Sequence, residues 1–440
     1  MKSLIFGIGH DYEKGKWLIE DEIVGYIDNN LAGKIMQDGQ KVISLSDINR
    51  IKFDRIIITS SKYYIEMLQQ LEKMNPAYLY KTVFLFEMDR TIPFVKIFKE
   101  KLKDFNCTKK YEITDKYYIV IPYKSVTGGP ELLHQLSFFL RNVIGNDRVF
   151  IAYDGLKSCE LSDEKDRDKA VPIQYRKYVD GCNVVSVDEI EDKKENIIVI
   201  PEVLTKTALK IQNMRMLFWW LSVDKFFNSV DTNIIPELFS KIDLHMCQSE
   251  YANSFLETIN IPANKRFILS DYINDDYVCS DSTEKENIIA YNPLKGFNFS
   301  KVLFEEIKEY QFVPIEKMNN DQVKELLKRS KVYIDFGNHP GKDRLPREAA
   351  LMNCCIVCAK RGSAKNEVDM PIDEIYKINI NENDWWINAK KIIDDCMCNY
   401  ETHINHFDRY RLMVKNEKNM FNESVKKLVI YCNDRGDNNE

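Results

Sequence analysis

The feature that most constrains this chain is a recurring unit. A short run rich in apolar and β-branched residues, often stopped by a Gly, Pro, Asp or Asn, is commonly followed by a stretch of helical period. The runs fall at 3–6, 23–27, 42–44, 55–59 and 81–86, then at 117–121, 149–153, 196–200, 215–223 and 242–247, and finally at 288–291, 312–315, 332–336 and 355–359. Within most runs the apolar residues are consecutive, not alternate, as expected of strands covered on both faces. Strands of this kind separated by helices predict parallel sheets and an α/β fold class.

Composition sets the scale. At roughly 150 residues per domain, 440 residues make two to four domains. Hydrophobic residues at 44% and charged residues at 30% describe a soluble globular chain and exclude a disordered one. A net charge of −6 argues against a dedicated nucleic-acid binder, which carries a basic domain. Basic residues do gather locally, at Lys96, Lys99, Lys101, Lys103, Lys109, Lys110 and Lys116. The plain reading is a solvated helix face and linker; the sharper one is contact with the anionic inner surface of a membrane. The N-terminal residues do not form a signal peptide, and no run approaches the roughly 18 apolar residues of a membrane span. With 11 Cys and no secretory signal, a reducing cytoplasm is expected. Cys354, Cys355 and Cys358, and Cys396 with Cys398, lack zinc spacing and read as small buried residues.

The run pattern divides the chain into a small α/β unit (1–95), a basic linker (96–116), two further α/β units (117–280 and 281–400) and a helical tail (401–440), whose last eight residues are expected to fray. In the first unit Gly7 and Gly9 stand at a strand-to-helix turn and Asp28 about 20 residues on, the places of a dinucleotide fingerprint that lacks its third glycine.

Two later loop-to-helix junctions carry more chemistry. Gly128 and Gly129 precede Pro130 at a helix start, where a ligand can approach the backbone and free N–H groups face an anion. The loop after the 332–336 run holds His339, Gly341, Lys342, Asp343 and Arg344 and leads into a helix with Glu348 in its first turn. Lys342 and Arg344 suit a diphosphate, and Glu348 suits ribose hydroxyls. The competing reading pairs Lys342 and Arg344 with Asp343 and leaves Glu348 to complement the helix dipole. Lys295 and Arg361 close two strands of the same unit. Asp224 and Glu202 each follow an apolar run, and His134 lies one turn into the Gly128 helix, so these three are the candidates for a base facing the cleft.

At these residues the chain resembles glycosyltransferases of the GT-B fold, in particular those whose C-terminal domain is similar to family 4. The likeness covers about three quarters of the chain and rests on Gly128-Gly129, on Asn292-Pro293-Leu294-Lys295-Gly296 and on Arg347-Glu348-Ala349-Ala350. It implies two Rossmann-like domains facing a cleft, with Lys295 holding the diphosphate of a nucleotide-sugar donor and Glu348 its ribose. No metal and no other cofactor is implied. The family's earlier glutamate is replaced by Pro340, and the 341–344 loop is expected to do its work. The segments 218–224 and 337–347 look like bacterial polysaccharide glycosyltransferases, which implies a glycan or lipid-linked acceptor. The first hundred residues resemble the small Rossmann-like domain ahead of bacterial sugar acyltransferases. Two other readings stay open: a nucleotide-sugar binding or regulatory protein, and a nicotinamide-dependent sugar-modifying enzyme using Gly7, Gly9 and Asp28.

Overall fold

The computed structural model describes residues 1–88, 91–102, 115–161, 164–277 and 284–437. Its strands form three sheets, and every strand pair within them is parallel.

The first sheet has the order β3-β2-β1-β4-β5, from β1 (Lys2–Phe6), β2 (Glu22–Ile27), β3 (Val42–Ile43), β4 (Arg55–Ile58) and β5 (Thr82–Phe84). The second takes β6 (Tyr117–Pro122), β7 (Val149–Asp154), β8 (Asn183–Ser186), β9 (Ile197–Pro201), β10 (Arg215–Trp220), β11 (Ile242–Cys247) and β12 (Arg266–Ile268) in the order β12-β11-β10-β9-β6-β7-β8. The third takes β13 (Glu286–Tyr291), β14 (Gln311–Pro314), β15 (Ser330–Asp335), β16 (Cys355–Ala359) and β17 (Lys377–Ile378) in the order β14-β13-β15-β16-β17.

The consecutive apolar runs have a direct structural cause. In the second sheet Ile119, Val199, Leu217 and Trp219 enter one core, while Tyr118, Ile198, Phe218 and Trp220 enter the core on the opposite face. Side chains alternate between faces with period two, so a strand buried on both sides is mostly apolar, although β11 buries Asp243 and His245 as well.

Three features depart from the sequence expectation. The run at 215–223 is not one strand. β10 stops at Trp220, and Ser222 caps a new helix, Val223–Ser229, by accepting from Lys225 N–H at 3.3 Å. Asp224 therefore sits in a helix's first turn, not at a strand end. The run at 81–86 is cut at Phe84 by a short helical turn, Leu85–Glu87. β8, β12 and β17 were not expected; each is only two to four residues long and lies toward the edge of its sheet, where it has a weak signature.

Two helices join the units. Helix Thr91–Lys101 buries Phe98 among Phe226, Phe239 and Phe255 of the second unit. Of the basic cluster, Lys116 pairs with Glu191 at 2.6 Å and Lys99 is exposed, whereas Lys103, Lys109 and Lys110 lie outside the described residues. Helix Asp408–Asp437 leaves the third-sheet core at Tyr410 and Val414 and enters the second-sheet core at Phe421, Val425 and Leu428. It runs unbroken to Asp437, beyond the expected fraying point. Among the described residues no helix is long and apolar enough to cross a membrane.

Candidate functional site

In parallel α/β sheets ligands bind beyond the carboxyl ends of the strands. Here the carboxyl ends of the second and third sheets face one another across a cleft of about 780 Å³. The second-sheet wall consists of Pro122, Gly128, Gly129, Leu132, Pro201, Glu202 and Leu221; the third-sheet wall includes Lys295, Asp335, Gly341, Lys342, Asp343 and Arg344.

The two walls nearly touch. A side chain at Gly341 would come within 2.6 Å of Leu221 O, so only glycine permits this approach. Val223 N–H donates to Pro340 O at 3.2 Å. Helix Gly128–Ile144 points its N-terminus into the cleft from an extended Thr127, and Gly128 leaves just enough room for the Arg344 side chain, 3.3 Å from where a Cβ would stand.

Every cation of the third-sheet wall already has a carboxylate. Lys295 Nζ lies 2.6 Å from Asp343 Oδ2. Lys342 Nζ reaches Glu417 at 2.7 Å and Ser270 Oγ at 2.9 Å. Arg344 pairs with Glu131 of the opposite wall and, at 3.2 Å, with Glu348. The competing reading, in which Lys342 and Arg344 pair with Asp343, does not hold: their partners are Glu417, Glu131 and Glu348. Burial opposes the charge on Lys295, yet Asp343, Asp335 and Glu87 outweigh it and keep the ammonium firmly protonated. Asp343 is likewise held well below the ordinary carboxylate range: Lys295 and His339 overcome its burial.

Behind this wall lies a buried clamp. Arg347, 0% exposed, binds Asp271 at 2.6 Å and Glu417 at 2.8 Å, and donates to Lys342 O at 2.8 Å. Gln248 accepts from Lys342 N–H at 2.9 Å and donates to Asp271 at 2.8 Å. Asp271 loses stability as an anion through burial, but Arg347 and Lys342 more than restore it, so its pKa is lowered. Gln248, Asp271, Glu131 and Glu417 escaped the sequence reading because each is separated by dozens of residues from the loop it serves.

The proposed ligand residues divide accordingly. Gly128, Gly129, Lys295, Gly341, Lys342, Asp343 and Arg344 line the cleft, whereas His339 and Glu348 are buried beside it. Burial raises the pKa of Glu348, and Arg344 only partly offsets this. The His339 ring is enclosed between two carboxylates, with Nδ1 3.0 Å from Asp343 and Nε2 3.7 Å from Asp335. Asp335, His339 and Asp343 also offer three ligand atoms within 4.8 Å of one another. In this arrangement the two ring nitrogens face different carboxylates, and the Lys295 ammonium already balances Asp343.

Of the three base candidates, only Glu202 lies on the cleft. It is 2% exposed at the end of β9 and accepts from Leu221 N–H at 3.0 Å. Burial pushes its pKa up to about 7, against the pull of that N–H and of Lys225. Asp224 is outside the lining, its carboxylate taken by Tyr251 Oη and Asn338 Nδ2. His134 is a core residue. Its Nδ1 lies 2.6 Å from Pro130 O, its Nε2 2.8 Å from Tyr153 Oη, and its ring stacks on Tyr175 at 4.5 Å. Burial lowers its pKa to about 4, which keeps it neutral and engaged.

The first unit has its own crevice, about 450 Å³, between Gly7, Gly9, Asp28 and Thr59. Asp28 does not present a free carboxylate there, since it accepts from the N–H groups of Ile8, Asn30 and Leu31. The helix that follows, His10–Gly15, is only six residues long.

Residues 1–78 match the family described as C2185-like, N-terminal. No curated protein matches the chain. Among solved structures, Anabaena Alr3699/HepE in complex with UDP and glucose superposes with a TM-score of 0.50 at 10% identity, covering 72% of this chain and 99% of that one. The same protein with UDP gives 0.50 at 11%, covering 72% and 98%. The N-terminal domain of Candida albicans trehalose-6-phosphate phosphatase gives 0.49 at 10%, covering 75% and 99%. The fold is GT-B. Two Rossmann-like units face a cleft, and a smaller parallel α/β unit precedes them.

Proposed function

We propose that the chain is a glycosyltransferase that moves a sugar from a nucleotide-sugar donor to a hydroxyl of a glycan or lipid-linked acceptor, in the assembly of bacterial surface polysaccharide. The observation that carries this reading is the cleft itself, with Lys295, Lys342 and Arg344 on one wall and the buried carboxylate of Glu202, whose pKa is raised, on the other. HepE has the same fold and was crystallised with UDP and glucose, which supports a nucleotide-sugar donor.

In this reading the transfer inverts. Glu202 takes the acceptor hydroxyl proton as that oxygen attacks the anomeric carbon. The bond from that carbon to the diphosphate oxygen breaks, and the leaving diphosphate is received by Lys295, Arg344 and the N–H groups at the start of helix Gly128–Ile144. Stabilisation is electrostatic and aimed at charge that develops in the transition state, so the reading invokes no metal. A base with a pKa of about 7 is well matched to neutral pH.

The test is release of nucleoside diphosphate from a panel of UDP-, GDP- and CDP-sugars, with calorimetry against UDP, GDP, CDP and NAD. Tight binding of NAD with no binding of a nucleoside diphosphate would sink the reading. A product that retains the donor's anomeric configuration by NMR would remove Glu202 from the role of base. Acceptor association with the inner membrane is tested by salt-dependent flotation with anionic liposomes.

A further inference from the structure

The first unit is not a loosely attached module. Its buried residues Leu4, Phe6, Ile56 and Ile58 belong to the same continuous core as Ile289, Val332 and Ile356 of the third sheet. Asn298 donates to Thr82 O at 2.9 Å, Tyr80 Oη to Glu306 at 2.6 Å, and Lys301 pairs with Glu72. At the edge of this interface the Leu85–Glu87 turn reaches over the carboxyl ends of β13 and β16.

Glu87 is the residue that makes the reach count. Its Oε1 accepts from Gly296 N–H at 2.8 Å, and its backbone carbonyl accepts from Arg361 Nη2. Gly296 is the left-handed cap (φ 60°) of helix Phe297–Glu306 and follows Lys295 directly. A Cβ on Gly296 would strike the backbone of Phe336, so this turn has no slack of its own. Arg361 Nη1 stands 3.7 Å from Glu87 Oε2, and among the described residues neither atom has a hydrogen-bond partner. Both side chains are mostly buried, 12% and 15% exposed. Glu87 thus holds two loops of the third sheet, the Gly296 turn through its carboxylate and the Arg361 loop through its backbone carbonyl and a longer ion pair, and the first of them carries Lys295, the partner of Asp343.

We propose that Glu87 is a positioning residue of the donor site, through which the first unit fixes the Lys295–Gly296 turn and the Arg361 loop for nucleotide binding. This inference rests on the donor-site reading given above. Glu87 does not line the cleft; it acts by holding the Gly296 amide, which sets the direction of the Lys295 side chain, and by facing Arg361 across the top of β15. Its negative charge also helps keep the Lys295 ammonium protonated. Pinning a turn in advance removes ordering cost at the moment of binding.

The experiment is titration of the full chain with UDP, GDP and CDP, alongside thermal melting. Glu87→Ala weakens binding of the preferred nucleotide about tenfold, the size of one lost charge-assisted hydrogen bond. Glu87→Gln keeps an acceptor for Gly296 N–H and recovers affinity to within about threefold of wild type. In turnover, donor KM rises while kcat stays within about twofold, since no transition-state contact is removed. Tyr80→Phe and Lys301→Ala weaken the same interface away from Gly296, and they lower the melting temperature while leaving nucleotide affinity unchanged. If Glu87→Ala does not fold, Arg361→Met breaks the same pair from the other side and carries the same expectation. A wild type that binds while Glu87→Ala or Arg361→Met matches its affinity overturns this proposal alone. A wild type that binds none of the three nucleotides overturns the donor-site reading and this one with it.

Discussion

The two walls of the cleft solve opposite problems. The third-sheet wall gathers Lys295, Lys342 and Arg344, and each is matched by a carboxylate: Asp343, Glu417 and Glu131 respectively. The second-sheet wall has proline, leucine and glycine around the buried acid Glu202. On the first wall charge is stabilised by countercharge, so its groups stay ionised. On the second, burial outweighs the Leu221 N–H and the Lys225 charge and lets the acid keep its proton up to about pH 7. In the proposed reaction a ligand diphosphate would have to exchange places with resident carboxylates, whereas the acceptor proton would pass to Glu202, whose pKa is already raised.

The sharpest way to break this contrast is Glu202→Gln. We predict a loss of transfer of about a thousandfold, within the usual range for a general base. Wild-type turnover rises as pH passes through about 7, and this rise disappears in the variant. The sign for stability follows from the same shift. A raised folded-state pKa contributes stability that is complete below the ordinary glutamate range and is lost as pH climbs toward 7. Glu202→Gln should thus melt higher than wild type at pH 8, by an amount on the order of 3 kcal/mol or less, and match it at pH 4. Equal melting at both values would show that folding does not raise the Glu202 pKa.

Arg347→Ala attacks the other wall from behind. It leaves Asp271 and Glu417 buried without their shared partner, and unfolding in urea should show a loss of about 3–5 kcal/mol. Retained stability would mean that water replaces the guanidinium.

Smaller effects separate the cations. Lys295→Ala should weaken nucleoside diphosphate binding by about 30-fold in calorimetry, in line with about 2 kcal/mol for a charge-assisted contact. Lys342→Ala should weaken it less, by about threefold, because Glu417 and Ser270 hold that ammonium in place. A larger effect for Lys342 than for Lys295 would reverse the assignment. The smallest change is expected from Glu131→Gln. It frees Arg344 from its countercharge and should tighten nucleotide binding about twofold, an effect that fades in high salt.

Much of this architecture was legible from sequence. The runs at 242–247 and 355–359 agree residue for residue with β11 and β16; β16 is an unbroken apolar run, as a strand buried on both faces tends to be, while β11 carries Asp243 and His245 among its apolar residues. The Gly-Gly and Lys342 loops were legible for a similar reason: glycine at a strand end and clustered charge before a helix are local signals. Asp224 and His134 show the limit. Both are polar residues next to apolar runs, as Glu202 is, and nothing local says which of the three faces the cleft. Ser222 starts a helix that carries Asp224 away from it, and Tyr153 and Tyr175 enclose His134.

Sequence alone determined that this chain makes parallel α/β units, where most strands end and which loops carry charge. Those properties depend on spacing within a few residues. Only the tertiary structure decided the rest. Asp271 and Glu417 lie 76 and 70 positions from Arg347, Glu131 lies 213 from Arg344, and Glu87 lies 209 from Gly296. Which carboxylate neutralises which cation, and which acid is left alone to be tuned by burial, follows from how the sheets pack. A charge's environment is a property of the folded space around it, and that space is built from distant parts of the chain.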